Sequence, residues 1–228
     1  MKIFVEINAV LYVRKNYCVY LRALHILKLK NTMKNSVLCS LTALIFLSGC
    51  QKAIDAIVEK GSGSSGFVKY TIPQGKQYAD KNGYKTVDLS EMKFVVKFDS
   101  SAVYQTKLPE NQYDINKLYG FSDNDSDHHQ YSARFGWGWS GNFLRLFAYV
   151  YNKGAVTSKE LTVIPIGKEI NCSIQVTSSS YLFTVGGVTE RLPRMAAAAR
   201  GKGYQLYPYF GGDETAPHDI HIWIKNLE

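Results

Sequence analysis

The chain has 228 residues, 46% of them hydrophobic, with 27 Lys or Arg against 19 Asp or Glu and a formal charge of +8. The surplus is unevenly placed: residues 1–49 hold seven basic residues and one acid, whereas residues 50–228 hold 20 basic and 18 acidic ones, a balance of +2. The basic character belongs to the N-terminal segment and not to a folded domain, so no nucleic-acid partner is expected.

Residues 1–32 are basic and rich in Tyr and Leu, and they stand in front of what reads as a complete export signal. We take Met33 as the true start and 1–32 as a spurious or disordered extension; a genuine amphipathic extension is the alternative. Residues 33–49 then read as a signal peptide. Met33, Lys34 and Asn35 give a short basic start, and Ser36 to Leu47 is a mostly apolar run. That run is too short for a permanent membrane helix, which needs roughly 20 apolar residues, and has the length of a signal-peptide apolar region. Small Ser48 and Gly49 follow, then Cys50. Leu47-Ser48-Gly49-Cys50 resembles the bacterial lipoprotein signal. The resemblance implies that Cys50 is lipidated, becomes the first mature residue, and anchors the protein in the cell envelope, with the outer membrane as the expected site. Cys172 is then the only other cysteine of the mature chain, so no intramolecular disulfide is expected. Stability must come from a hydrophobic core, for which about 160 residues suffice.

Residues 50–66 read as the lipid-anchored tether. Gln51 to Lys60 is at most a marginal helix. Gly61-Ser62-Gly63-Ser64-Ser65-Gly66 formally matches a dinucleotide-binding glycine pattern, but neither a strand before it nor a helix after it is indicated. It reads as a flexible Gly/Ser linker.

Residues 67–228 show short strands and turns. Strands are expected at Phe67–Ile72, Lys93–Asp99, Tyr131–Trp139, Asn142–Asn152, Leu161–Ile166, Glu169–Thr177, Tyr181–Val185, Tyr204–Phe210 and Asp219–Ile224. Turn signals fall at Ser140-Gly141, Asn152-Lys153-Gly154 and Gly186-Gly187. With no long helix indicated, the pattern predicts an all-β, antiparallel β-sandwich or jelly roll.

Alternation then sorts side chains by face. In Asn142–Asn152, Leu144, Leu146, Ala148 and Val150 oppose Phe143, Arg145, Phe147, Tyr149 and Tyr151. In Tyr131–Trp139, Ser132, Arg134, Gly136 and Gly138 oppose Ala133, Phe135, Trp137 and Trp139; glycine on a sheet face leaves room for a ligand or another backbone. In Tyr204–Phe210, Gln205, Tyr207 and Tyr209 fall together. Arg134, Arg145, Tyr149, Tyr151, Gln205, Tyr207 and Tyr209 therefore make a candidate oligosaccharide groove, with flat rings for sugar C–H faces and a few polar groups for orientation. The competing reading is that these rings simply pack the domain.

The runs Tyr204–Ile224, Gly120-Phe121-Ser122-Asp123 and Ser132–Trp139 resemble a group of bacterial lipoproteins and phage-associated proteins. More distantly, the strand plan is similar to concanavalin-like jelly rolls, including the alginate lyase sandwich. That resemblance implies an Arg-bearing strand, matched by Arg134, and a Tyr-rich strand, matched by Tyr204 to Tyr209. It also implies a Gln-x-His motif, which this chain lacks.

Two polar clusters complete the reading. Asp123, Asp125 and Asp127 alternate in an oxygen-rich loop of the kind that holds calcium, although the EF-hand pattern fails. His218 and Asp219 are expected to fix the turn between Gly211 and Pro217. No catalytic residue, resident metal or cofactor is assigned. The sequence points to a carbohydrate-binding envelope lipoprotein without chemistry. A lyase acting on acidic glycans and a protein-binding adhesive module are the alternatives.

Overall fold

The computed structural model describes residues 66–227; the expected signal peptide, Cys50 and most of the linker lie outside them. Twelve strands form two six-stranded sheets, and every pairing is antiparallel. The first sheet runs β1 (Val68–Ile72), β12 (Ile220–Leu227), β3 (Glu91–Phe98), β8 (Ile170–Val176), β9 (Ser180–Val185), β10 (Val188–Pro193). The second runs β2 (Thr86–Leu89), β11 (Gly201–Leu206), β4 (Asn116–Ser122), β5 (Tyr131–Ser140), β6 (Phe143–Asn152), β7 (Ala155–Ile164). No helix among the described residues is long and apolar enough to cross a membrane.

The two sheets close over one aromatic-rich core. Phe94 and Phe98 of the first sheet meet Phe135 and Trp137 of the second, with ring centroids 5.6 Å apart for Phe94–Phe135 and 5.4 Å for Phe98–Trp137. Phe183 closes the other side of Phe135 at 5.3 Å. Leu144, Leu146, Ala148 and Val150 line the same core, so the aliphatic side of β6 faces inward. Cys172 is a free, buried thiol, and burial pushes its pKa up. The expected hairpins are present: Gly141 and Asn142 have φ of 60° and 66°, and Gly186 and Gly187 have φ of 55° and 85°. Consecutive left-handed residues are what a two-residue hairpin turn requires.

Four features depart from the sequence reading. β10 and the first half of β7 lie at sheet edges and carry exposed residues on both faces, so they show no sustained period-2 pattern, while the edge strand β2 alternates exposed Thr86 and Asp88 with half-buried Val87 and Leu89 over only four residues. β4 is central, but a register shift between Lys117 and Gly120 buries Leu118 and Tyr119 consecutively and breaks its alternation. β11 ends at Leu206, ahead of Pro208, so Tyr204–Phe210 is not one continuous strand. Finally, the glycines of β5 do not clear space for a ligand. A Cβ on Gly136 would strike Ile115, and one on Gly138 would lie 3.5 Å from the Asp114 carbonyl, so the chain leading into β4 occupies that space.

Candidate functional site

The outer face of the second sheet carries a groove of about 470 Å³. Its floor comes from β5 and β6. Arg134 pairs directly with Tyr149 across the ladder, which puts both side chains on the face opposite Phe135 and Ala148. Lys117 of β4 stands beside them, its Nζ 4.5 Å from the Tyr149 ring centroid and hydrogen-bonded to the Ile115 carbonyl at 2.5 Å. One wall is built by Tyr204 of β11 and by Tyr209, which holds its place through paired backbone hydrogen bonds with Lys117. Tyr78 and Tyr84 extend that wall as exposed rings, Tyr78 meeting Tyr209 edge to face at 4.9 Å and Tyr84 lying tilted against Tyr204 at 5.6 Å. The other wall is the loop bearing His128 and His129, with the His129 ring 5.4 Å from Tyr151.

Arg134 is the electrostatic centre of the groove. It is only 7% exposed, one guanidinium nitrogen donates to the Tyr207 carbonyl at 2.7 Å, and its Nε has no hydrogen-bond partner among the described residues. Burial lowers its pKa to about 10, so it remains charged at neutral pH. Lys117 is likewise lowered, to about 8, first by burial and then by the charge of Arg134, with Asp114 acting in the opposite direction. Among the described residues no Asp or Glu lines the groove. Two cations thus share one concavity with tyrosines; Asp114 partly offsets the Lys117 charge from behind the lining, but Arg134 has no carboxylate partner, an arrangement that favours an anionic occupant.

The tyrosines themselves are held protonated. Burial raises the pKa values of Tyr149, Tyr204 and Tyr209, so they act as donors and stacking surfaces at neutral pH. Tyr204 is oriented by His128: the phenol oxygen lies 2.9 Å from His128 Nδ1 and accepts the His128 backbone N–H at 3.1 Å. Burial lowers the His128 pKa, which leaves the imidazole neutral near pH 7 and its Nδ1 free to accept the Tyr204 proton.

Of the residues picked from sequence, Arg134, Tyr149, Tyr151 and Tyr209 converge in this groove. Gln205 and Tyr207 border it from the wrong side of their strand. Gln205 pairs with Phe121 and so leaves β11 on the core side, and the Tyr207 ring packs 6.0 Å from Tyr70 and 6.1 Å from Tyr119. Tyr207 contributes its carbonyl to Arg134 instead, and the face assignment for this strand is corrected to Tyr204 and Leu206 outward. Arg145 does not join them. It pairs with Gly138, four rungs or about 13 Å along the sheet from Arg134, and is engaged by Glu160 at 2.7 Å.

The aspartate loop is not a calcium cage. Asp123 is fully buried and accepts from Arg194 Nε at 2.7 Å and the Tyr181 hydroxyl at 2.6 Å, while Asp125 pairs with Lys202 at 2.8 Å. Asp127 turns to the His129 backbone N–H at 2.8 Å, and that bond holds its carboxyl below the usual range. Asp127, His128 and His129 bring their ligand atoms within 4.8 Å of one another at the groove rim, but His128 Nδ1 is committed to Tyr204. His218 and Asp219 fix loops other than the expected one: His218 Nε2 bonds the Ser101 carbonyl and Asp219 accepts from the Gln74 N–H, both at 2.8 Å.

No protein-family model matches the chain, and no curated protein matches it in sequence. Solved structures do match in shape. The GH16 protein of the Bacteroides ovatus mixed linkage glucan PUL, in complex with a G4G4G3G product, is 11% identical over 73% of this chain and 83% of its own, with a TM-score of 0.50. The fold is a concanavalin-like jelly roll. The laminarinase catalytic domain of Thermotoga maritima is 10% identical over 72% of this chain and 80% of its own, at a TM-score of 0.47. An alginate lyase from Chlorella virus is 10% identical over 70% and 82%, at 0.42. At these identities the likeness bears on the fold alone.

Lys117, His128, Tyr204, Tyr78 and Tyr84 are the groove residues that the sequence reading did not select. Lys117 sits on the bulged strand that alternation hides, and Tyr204 entered the sequence reading only as part of the Tyr-rich strand that the resemblance implies. His128 follows the aspartate loop, outside any strand. Tyr78 and Tyr84 belong to an irregular segment with no periodic signal.

Proposed function

We propose that this domain binds an acidic, uronate-bearing polysaccharide in the groove on its second sheet, without chemistry, and that lipid on Cys50 holds it at the cell envelope, at the outer membrane. The observation that carries the reading is Arg134: a buried guanidinium with an unpartnered Nε, beside Lys117, under tyrosine rings and with no carboxylate among the residues that line the groove. A ligand carboxylate would supply the missing counter-charge, and Tyr78, Tyr84 and Tyr209 offer flat faces for neighbouring sugar rings. Affinity electrophoresis of the domain through gels containing alginate, polygalacturonate or a neutral β-glucan tests it. The uronates should retard the domain and the neutral glucan should not, and Arg134→Gln should remove the retardation. Equal retardation by the neutral glucan would refute the charge argument.

A second reading, a lyase cleaving acidic glycans by β-elimination, is favoured by the Tyr204–His128 pair. A phenol already hydrogen-bonded to a neutral imidazole has a path for its proton, and Arg134 could neutralise the uronate carboxylate. Release of unsaturated uronate ends, followed by ultraviolet absorbance and lost in Tyr204→Phe, separates this from simple binding. Hydrolysis by paired carboxylates is not supported, because that mechanism needs two acids flanking the scissile bond and none lines this groove.

A further inference from the structure

The outer face of the first sheet carries a second chemical surface, on the opposite layer from the groove. Register places Lys69, Trp223 and Lys97 side by side in one cross-strand row over β1, β12 and β3. Both ammonium groups lie 5.5 Å from the Trp223 ring. Next to that row, Phe67 is flanked by Lys225 at 4.9 Å and Lys97 at 5.4 Å. Among the described residues, these three lysines rest against rings and form no ion pair with a carboxylate, unlike Lys81, Lys93, Lys159 and Lys202.

We infer that this face docks onto an anionic phospholipid bilayer. Tryptophan and phenylalanine interleaved with lysine suit the membrane interface, where rings sit at headgroup depth and ammonium groups reach the phosphates. Each such lysine contributes to attraction by an anionic leaflet. The mature chain as a whole is nearly neutral, so the three cations are a local feature and not part of a general basic field that would gather any polyanion. Position along the chain agrees. Phe67 lies 17 residues after Cys50, a stretch that spans at most about 60 Å. A lipid on Cys50 would hold the patch within reach of the bilayer and raise its effective concentration there. Seated this way, the first sheet faces the membrane and the groove on the second sheet faces away from it.

The test uses an unlipidated chain beginning at Gln51, which contains every strand of the self-paired sandwich. It is sedimented with vesicles of phosphatidylcholine alone or mixed with phosphatidylglycerol. Association with the mixed vesicles is expected to exceed that with phosphatidylcholine by at least about tenfold. The triple variant Lys69→Glu, Lys97→Glu, Lys225→Glu should weaken it by about a hundredfold or more, with near-ultraviolet circular dichroism confirming an intact core. Trp223→Ala should weaken it without charge reversal, and Arg134→Gln should bind vesicles like the parent chain. Equal binding by the triple variant, or no preference for the anionic lipid, overturns the inference. So does a loss of polyuronate retardation in the triple variant with vesicle binding unchanged, since the face would then be a glycan subsite. Because vesicle binding here requires neither lipidation nor the groove, its failure is distinguishable from failure of the glycan reading.

Discussion

Arg134 and Arg194 are both buried, and the difference between them separates function from stability. Arg194 meets Asp123 in a closed network: Nε reaches Oδ2 at 2.7 Å, another nitrogen reaches Oδ1 at 3.2 Å, and the remaining donors go to the Thr177, Ala198 and Arg200 carbonyls. Tyr181 of the first sheet joins the same carboxylate from across the sandwich, so Asp123 clasps the two layers together. Asp123→Ala would leave the guanidinium buried without its counter-charge, and chemical denaturation should show a loss of about 3–5 kcal/mol. Arg134 has no such carboxylate, so Arg134→Met should cost little stability or even add some, while abolishing uronate binding. A large destabilisation by Arg134→Met would mean that the residue is a structural post. The sequence exposed the chemistry of these positions only in part. Alternation placed Arg134 beside Tyr149 because both strands are regular. Asp123 looked like one of three loop carboxylates, because its partners lie 58 and 71 residues away.

At the scale of elements, the strands visible in the sequence are those whose polar and apolar residues alternate. In β6 the alternation follows a half-exposed and a buried face; β5 is buried on both faces but still alternates Ser132, Arg134, Gly136 and Gly138 with Ala133, Phe135, Trp137 and Trp139, and the two strands carry the groove floor. The first half of β7 and much of β10 are wet on both sides, β2 is only four residues long, and the bulge in β4 buries Leu118 and Tyr119 consecutively, so none of them shows the sustained period that betrays a strand. The bulge in β4 also sets the groove. Gly120 pairs with Arg134, and a Cβ there would collide with the Ala133 carbonyl oxygen and the Arg134 backbone. No side chain at that rung can be accommodated without moving β5. Gly120→Ala is expected to cost about 1–3 kcal/mol in denaturant midpoints and to weaken uronate binding together with stability, because the same backbone shift displaces Arg134. Retained binding in a destabilised Gly120→Ala protein would show that the groove tolerates movement of its floor.

For the whole molecule, the groove's charge ties ligand affinity and stability to pH in opposite directions. Lys117 titrates at about 8 in the folded chain because burial and the neighbouring Arg134 disfavour its ammonium form. In the unfolded chain a lysine titrates near 10.4. Between those values the unfolded state binds more protons than the folded one, so stability rises as pH increases through this window. Lys117 is partly solvated, which limits the size of the gain. Affinity for a uronate moves the other way. Below pH 8 both cations meet the ligand; above it Arg134 is left alone, and binding should weaken while the protein itself becomes harder to unfold. A bound carboxylate favours the ammonium form and shifts the loss of affinity to somewhat higher pH than in the free domain. The groove tyrosines are raised by burial and stay neutral across this range, so Lys117 accounts for the change. Titrating binding by calorimetry and stability by denaturant from pH 6.5 to 9.5 should give curves of opposite slope, and Lys117→Met should flatten both. If affinity and stability instead rise or fall together, or if the Lys117→Met protein keeps the wild-type profile, the cation that gates the groove is not Lys117.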